Sequence, residues 1–174
     1  MKKHQIAIIV FGVVLLIAFI LNTVGVFTTS WVVSSKKLLI IDKWYDAIGI
    51  VPYRKEITGL LPSIGVASIL MYLTIPLYIF TIAAFGLTSL LVIKNGFYPE
   101  LRRFIDLIAA FSLTIFIFTV VSVTIIGTQI DPFKVSGITV SLGYSAWLSL
   151  VASILLFVLV IPFYCFSYNV TLSS

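Results

Sequence analysis

Four stretches of this 174-residue chain contain no Asp, Glu, Lys or Arg: residues 4–35, 57–93, 107–130 and 135–174. Each exceeds the roughly 20 residues needed to cross the hydrocarbon core of a bilayer. Lipid offers no partner to a backbone N–H or C=O, so a segment placed there must close its hydrogen bonds internally, as a helix or in a closed barrel. Barrel strands would alternate apolar and polar positions over about ten residues, and no such alternation dominates here. The pattern predicts an all-α integral membrane protein: a four-helix bundle with spans near residues 5–27, 63–93, 104–127 and 142–165. The connections then lie at residues 28–62 and 128–141 on one side and in a short turn on the other. No internal repeat or linker divides residues 1–174, which read as a single domain.

Composition excludes most chemistry. With 61% apolar and 10% charged residues, the chain cannot cover a water-facing surface, which rules out a soluble enzyme or a disordered tail. A net charge of +5 in such a chain bears on topology and lipid headgroups, not on nucleic acid. One cysteine, Cys165, excludes an internal disulfide and a cysteine-based zinc site, and the one histidine, His4, lies near the N-terminus. Nucleophilic catalysis needs a His or Lys beside a Ser or Cys. The spans hold neither base and a single acid, Asp106. No catalytic, cofactor, metal or small-molecule site is expected, and the bilayer is the first partner.

Local signals refine the spans. The apolar run from Ile6 to Leu21 is 16 residues long, longer than a signal-peptide core of about 7–15, so the first span reads as an uncleaved anchor. Pro62 suits the first turn of a helix, Pro76 is expected to kink the second span, and Pro162 to bend the last turn of the fourth. Ser141, Ser145, Ser149 and Ser153 recur every four residues, a ladder that lets helix backbones approach closely. Arg102 and Arg103 precede Asp106 by four and three residues, a spacing that allows an interfacial ion pair. Asn22 and Gln129 read as caps or interhelical links. Cys165, at the end of the fourth span, is a candidate for palmitoylation.

Four spans place both termini on one side. Lys2, Lys3, Lys94, Arg102 and Arg103 crowd short segments there, whereas five of the six opposite cations are spread over residues 28–62 among three acids. Short, dense positive segments stay in the cytoplasm, so both termini are expected inside. The sequon Asn169-Val170-Thr171 then faces the cytoplasm and stays unmodified.

Residues 28–62 are the candidate soluble module. Trp31-Val32-Val33, Leu38-Leu39-Ile40-Ile41 and Ile48-Gly49-Ile50-Val51 are β-favouring runs, with Lys36-Lys37 and Asp42-Lys43 between them read as turns. A small antiparallel sheet on the outer end of the bundle is expected, with Ile138-Thr139-Val140 adding a strand. Trp31, Trp44, Tyr45 and Tyr53 fit interface anchoring or an exposed contact surface.

This layout resembles the claudin superfamily, which includes the peripheral myelin and epithelial membrane proteins and the stargazin-type channel subunits. Thr29-Ser30-Trp31-Val32-Val33 resembles the family's tryptophan segment at the start of the first outer loop. Ile48-Gly49-Ile50-Val51 is similar to its Gly-Leu-Trp segment, with Val51 in place of tryptophan. Leu142-Gly143-Tyr144-Ser145-Ala146-Trp147-Leu148 resembles its Gly-Tyr-Ser opening of the fourth helix. The resemblance implies a structural and interaction protein of the plasma membrane, working through lateral and cell–cell contacts, with Trp31, Gly49, Tyr144, Ser145 and Trp147 in its matched segments; Trp44 from the aromatic belt and Ser149 and Ser153 from the serine ladder join them as candidate structural and contact residues. The alternative it implies is an auxiliary subunit that escorts or modulates an ion channel or receptor. A transporter or pore is disfavoured by the scarcity of polar residues along the spans. One departure stands out: the family's first loop carries a disulfide, and this loop has no cysteine. Such a bridge contributes about 2–4 kcal/mol. Either packing and ladder hydrogen bonds hold the sheet alone, or the loop folds differently.

Overall fold

Four apolar segments do form helices of membrane-spanning length. The computed structural model describes residues 3–40, 43–50, 62–96, 101–129 and 140–172. Helix α1 is Lys3–Phe27, α2 Pro62–Asn95, α3 Leu101–Gln129 and α4 Tyr144–Leu172. Strands β1 (Val32–Ile40), β2 (Lys43–Ile48) and β3 (Val140–Leu142) form one antiparallel sheet in the order β2-β1-β3. The fold is thus a four-helix membrane bundle with a small sheet at one end, the sheet built mainly from the segment after α1.

The helices close into a ring, α1–α2–α3–α4 and back to α1, with α2 against α3 and α1 against α4 as the most extensive seams. The reason is a heptad stripe. The buried residues of α3 are Leu101, Ile105, Ile108, Ser112, Ile115, Thr119, Ser122 and Ile126, spaced alternately by four and three, the repeat that seats knobs into holes between antiparallel helices. Ile64, Ala67, Met71, Thr74, Tyr78 and Thr81 follow the same rhythm on α2. Large apolar side chains such as Ile20, Phe80, Leu90 and Val158 point outward, as lipid permits.

Several boundaries differ from the sequence expectation. All four helices extend beyond the expected spans, except that α4 starts at Tyr144 rather than Leu142. Its first residues are displaced because Leu142 belongs to β3 and Gly143 N–H is taken by Trp31 C=O at 2.8 Å. Consequently Ser141, expected as the first rung of the serine ladder, lies on the sheet. Pro162 is not in the last turn: α4 runs on to Leu172. Neighbouring groups in a bundle compensate a proline inside a membrane helix. Likewise α2 is continuous through Pro76. It stops at Gly96, whose φ of 79° and N–H bonded to Val92 C=O at 3.0 Å form the usual left-handed cap.

The two lysines Lys36 and Lys37, expected as a turn, lie inside β1. Lysines supply none of the turn chemistry of Gly, Asn, Asp or Pro, so the strand runs through and absorbs them in a register shift between Val33 and Leu38. Pairing resumes at Leu38 with Tyr45 and closes at Ile40 with Lys43. Residues 51–61 and 130–139, with Val51, Tyr53, Ile138 and Thr139 among them, lie outside the described residues, as do the side chains of Trp44, Tyr45 and Cys165.

Candidate functional site

The junction between bundle and sheet begins where α1 ends. The last carbonyls of a helix have no partner within it. Thr28 answers one of them, donating from both its N–H and its hydroxyl to Val24 C=O at 3.0 and 2.7 Å. The chain then turns back, and Trp31 enters the bundle with no exposed surface. Its Nε1–H donates to Gly25 C=O at 2.7 Å. One indole therefore fills the core at the sheet end of the bundle, beside Val26, Ala67 and Ile126, and completes the end of α1. An indole suits this place because a large apolar body and a single donor are both needed.

The start of α4 is tied to the same turn. Gly143 N–H donates to Trp31 C=O and Ser145 N–H to Ser30 C=O, at 2.8 and 3.2 Å. Thr28 and Ser145 share a hydroxyl–hydroxyl hydrogen bond of 2.6 Å. Two glycines make these approaches possible. A Cβ on Gly143 would collide with the Ser30 carbonyl and lie 2.7 Å from Val33 Cγ2, and one on Gly25 would collide with Ser149 Oγ and lie 2.8 Å from Ser145 C=O. The opposite strand is fastened separately. Ser68 of α2 donates to Ile50 C=O at 2.6 Å, and Ile50 itself is buried. Since Val32 pairs with Ile48, both strands at the open end of the hairpin are anchored to the bundle within a few residues of each other. The sheet is thus held without a cysteine in the loop, by packing, ladder hydrogen bonds and these clasps.

The remaining expected residues fall in different places. Ser145, Ser149 and Ser153 are fully buried on α4. Gly49 is half-buried just after β2, and Trp44 lies in β2 opposite Leu39. Tyr144 and Trp147 point away from the bundle, each more than half exposed. Cys165 and Asn169 lie in the last turns of α4. Asp106, Arg102 and Arg103 are exposed, and no ion pair joins them among the described residues. The pairing expected there fails for a physical reason: a cation N-terminal to its acid is the weaker helical orientation, and exposed partners are well solvated. Among the described residues no three His, Cys, Asp or Glu side chains cluster.

Sequence reasoning missed the partners. Asn22 is fully buried and donates to Thr74 Oγ1 at 3.0 Å, and Ser122 reaches Ala67 C=O of α2 at 3.3 Å. The available signal was the heptad spacing of Ser and Thr on α2 and α3.

Among the described residues the arrangement ties the sheet to one end of a membrane bundle. Comparison with known proteins agrees. The family model for claudin-like tight junction proteins matches residues 1–169, which takes in the first three helices, the sheet and all but the last three residues of α4. No curated protein matches the chain. Tight junction proteins of this kind are structural membrane components without catalytic activity. By this match over nearly its whole length, the chain belongs to the claudin-like family of tight junction proteins.

Proposed function

We propose that the protein is a structural and interaction component of the plasma membrane that assembles side by side through its helix faces and meets other proteins through its sheet. The observation that carries this reading is the family match over residues 1–169. The clasped sheet supports it, because a contact surface works best when it is preorganised. In this reading the whole chain acts as one four-span unit with both termini in the cytoplasm. Trp44 lies on the contact sheet, while Tyr144 and Trp147 sit at the headgroup layer, where aromatic side chains anchor. Asp106, Arg102 and Arg103 act as separately solvated charges at the inner rim, and Cys165 is a site for acylation.

Crosslinking in cultured membranes, followed by purification in mild detergent, tests the reading. Self-association in patches or strands is the expected result. A dispersed monomer without partners would sink it. A single stoichiometric channel or receptor would instead identify the chain as an auxiliary subunit.

A further inference from the structure

Midway along the bundle, Tyr78 of α2 packs against Ala18 of α1, Ile115 of α3 and Leu156 of α4. One turn toward the sheet from each of these stands Asn22, Thr74, Thr119 and Ser153, one residue per helix and all without exposed surface. The hydroxyls of this layer use their protons on their own helices. Thr74 donates to Met71 C=O at 2.7 Å, Thr119 to Ile115 C=O at 2.9 Å and Ser153 to Leu150 C=O at 2.9 Å. Thr74 Oγ1 can therefore only accept from Asn22, which fixes the amide with Nδ2 toward Thr74 and Oδ1 turned away. That Oδ1 is buried without a partner, and so is the Tyr78 hydroxyl.

These two groups belong together. Asn22 meets Thr74, and one rung further from the sheet the Phe19 and Tyr78 rings lie 5.9 Å apart. Helical side chains tilt toward the N-terminus of their own helix. On α1 that inclines Asn22 away from the sheet, and on antiparallel α2 it inclines Tyr78 toward it. These tilts direct the orphan acceptor and the orphan donor toward one another. A buried polar group left unmade is costly, and a water with two to four partners is the usual remedy.

We propose that this layer is a binding site for a single buried water, which accepts from the Tyr78 hydroxyl and donates to Asn22 Oδ1. Its second proton goes to the hydroxyl oxygen of Thr119 or Ser153, both of which still have accepting capacity. A cation does not fit the same oxygens, because the layer carries no formal charge to balance it in a low-dielectric interior.

Two measurements on the full chain test the proposal. In a high-resolution map of the parent protein, a density peak should lie about 2.6–3.2 Å from both Tyr78 Oη and Asn22 Oδ1. An empty gap, or a direct contact between the two atoms, overturns it. In detergent, Tyr78→Phe should lower Tm by about 2–4 °C, and the drop should shrink in an Asn22→Ala background, where the water has lost one of its two acceptors. A hydroxyl that is only orphaned predicts the opposite sign, since phenylalanine relieves its desolvation. A Tm that stays level or rises in Tyr78→Phe therefore also overturns the proposal. The map needs no variant to fold.

Discussion

Truncating Trp31 to alanine would empty a fully enclosed site and leave Gly25 C=O with only the longer bond from the Thr28 hydroxyl, at 3.3 Å. Replacing a buried tryptophan by alanine costs about 3–5 kcal/mol, with no covalent bridge in the loop to limit the loosening. We predict that trypsin cuts the sheet region of Trp31→Ala, at Lys36, Lys37 or Lys43, faster than that of the parent. Cleavage at the parental rate would show that Trp31 does not hold the sheet. Trp31→Phe separates the two roles: it keeps most of the packing and loses only the donor, so its loss of stability should be about 0.5–1.5 kcal/mol. Gly143→Ala should be as damaging as Trp31→Ala, because the added methyl meets backbone, which cannot rotate away. Equal thermal stability of Gly143→Ala and the parent would show that the turn gives way. Trp31 itself was legible in the sequence, through its place in the tryptophan segment after the first span. Its acceptor was not, because nothing local says that the chain doubles back upon Gly25.

At the scale of elements, the existence of the helices was legible and their faces were not. Length and absence of charge suffice to call a membrane helix, and all four came out so. Hydropathy cannot tell a lipid-facing face from a buried one when both are apolar. Here the signal is inverted relative to a soluble bundle: Ser68, Thr81, Thr88, Ser112 and Ser122 are inside, while Ile9, Ile79 and Leu90 are outside. The serine ladder pointed to one such face on α4. It failed at Ser141 because the β-favouring residues before Gly143 and the bond from Gly143 N–H to Trp31 impose a strand there. The lysine pair misled in the opposite way, since a charge run looks like a loop while its backbone is free to pair. Ser149 tests the α1–α4 seam. Its side chain faces the Gly25 backbone, and Ser149→Leu should separate the two helices at a cost of about 1–3 kcal/mol. A Tm equal to that of the parent would mean that the seam repacks freely.

The whole molecule has one feature that only topology can explain: the sheet lies at the end of the bundle where α1 finishes and α4 begins. If the dense cations of the α2–α3 turn hold that turn in the cytoplasm, Asn169 lies inside as well. We predict no change in electrophoretic mobility on glycosidase treatment. A shift that vanishes in Asn169→Gln would invert the orientation.

The inward hydroxyls also bear on how the protein is made. Thr81, Thr88, Ser112 and Thr119 each donate to a carbonyl one turn back on the same helix, at 2.7–2.9 Å. A span of that kind carries its own solvation and can leave the translocation machinery for lipid before any neighbour arrives. Asn22 differs from these, because its partner is on the second helix to be synthesised. Until α2 follows, α1 presents an unsatisfied amide to the hydrocarbon. Pairing of α1 with α2 supplies the Thr74 hydroxyl oxygen and satisfies the amide N–H.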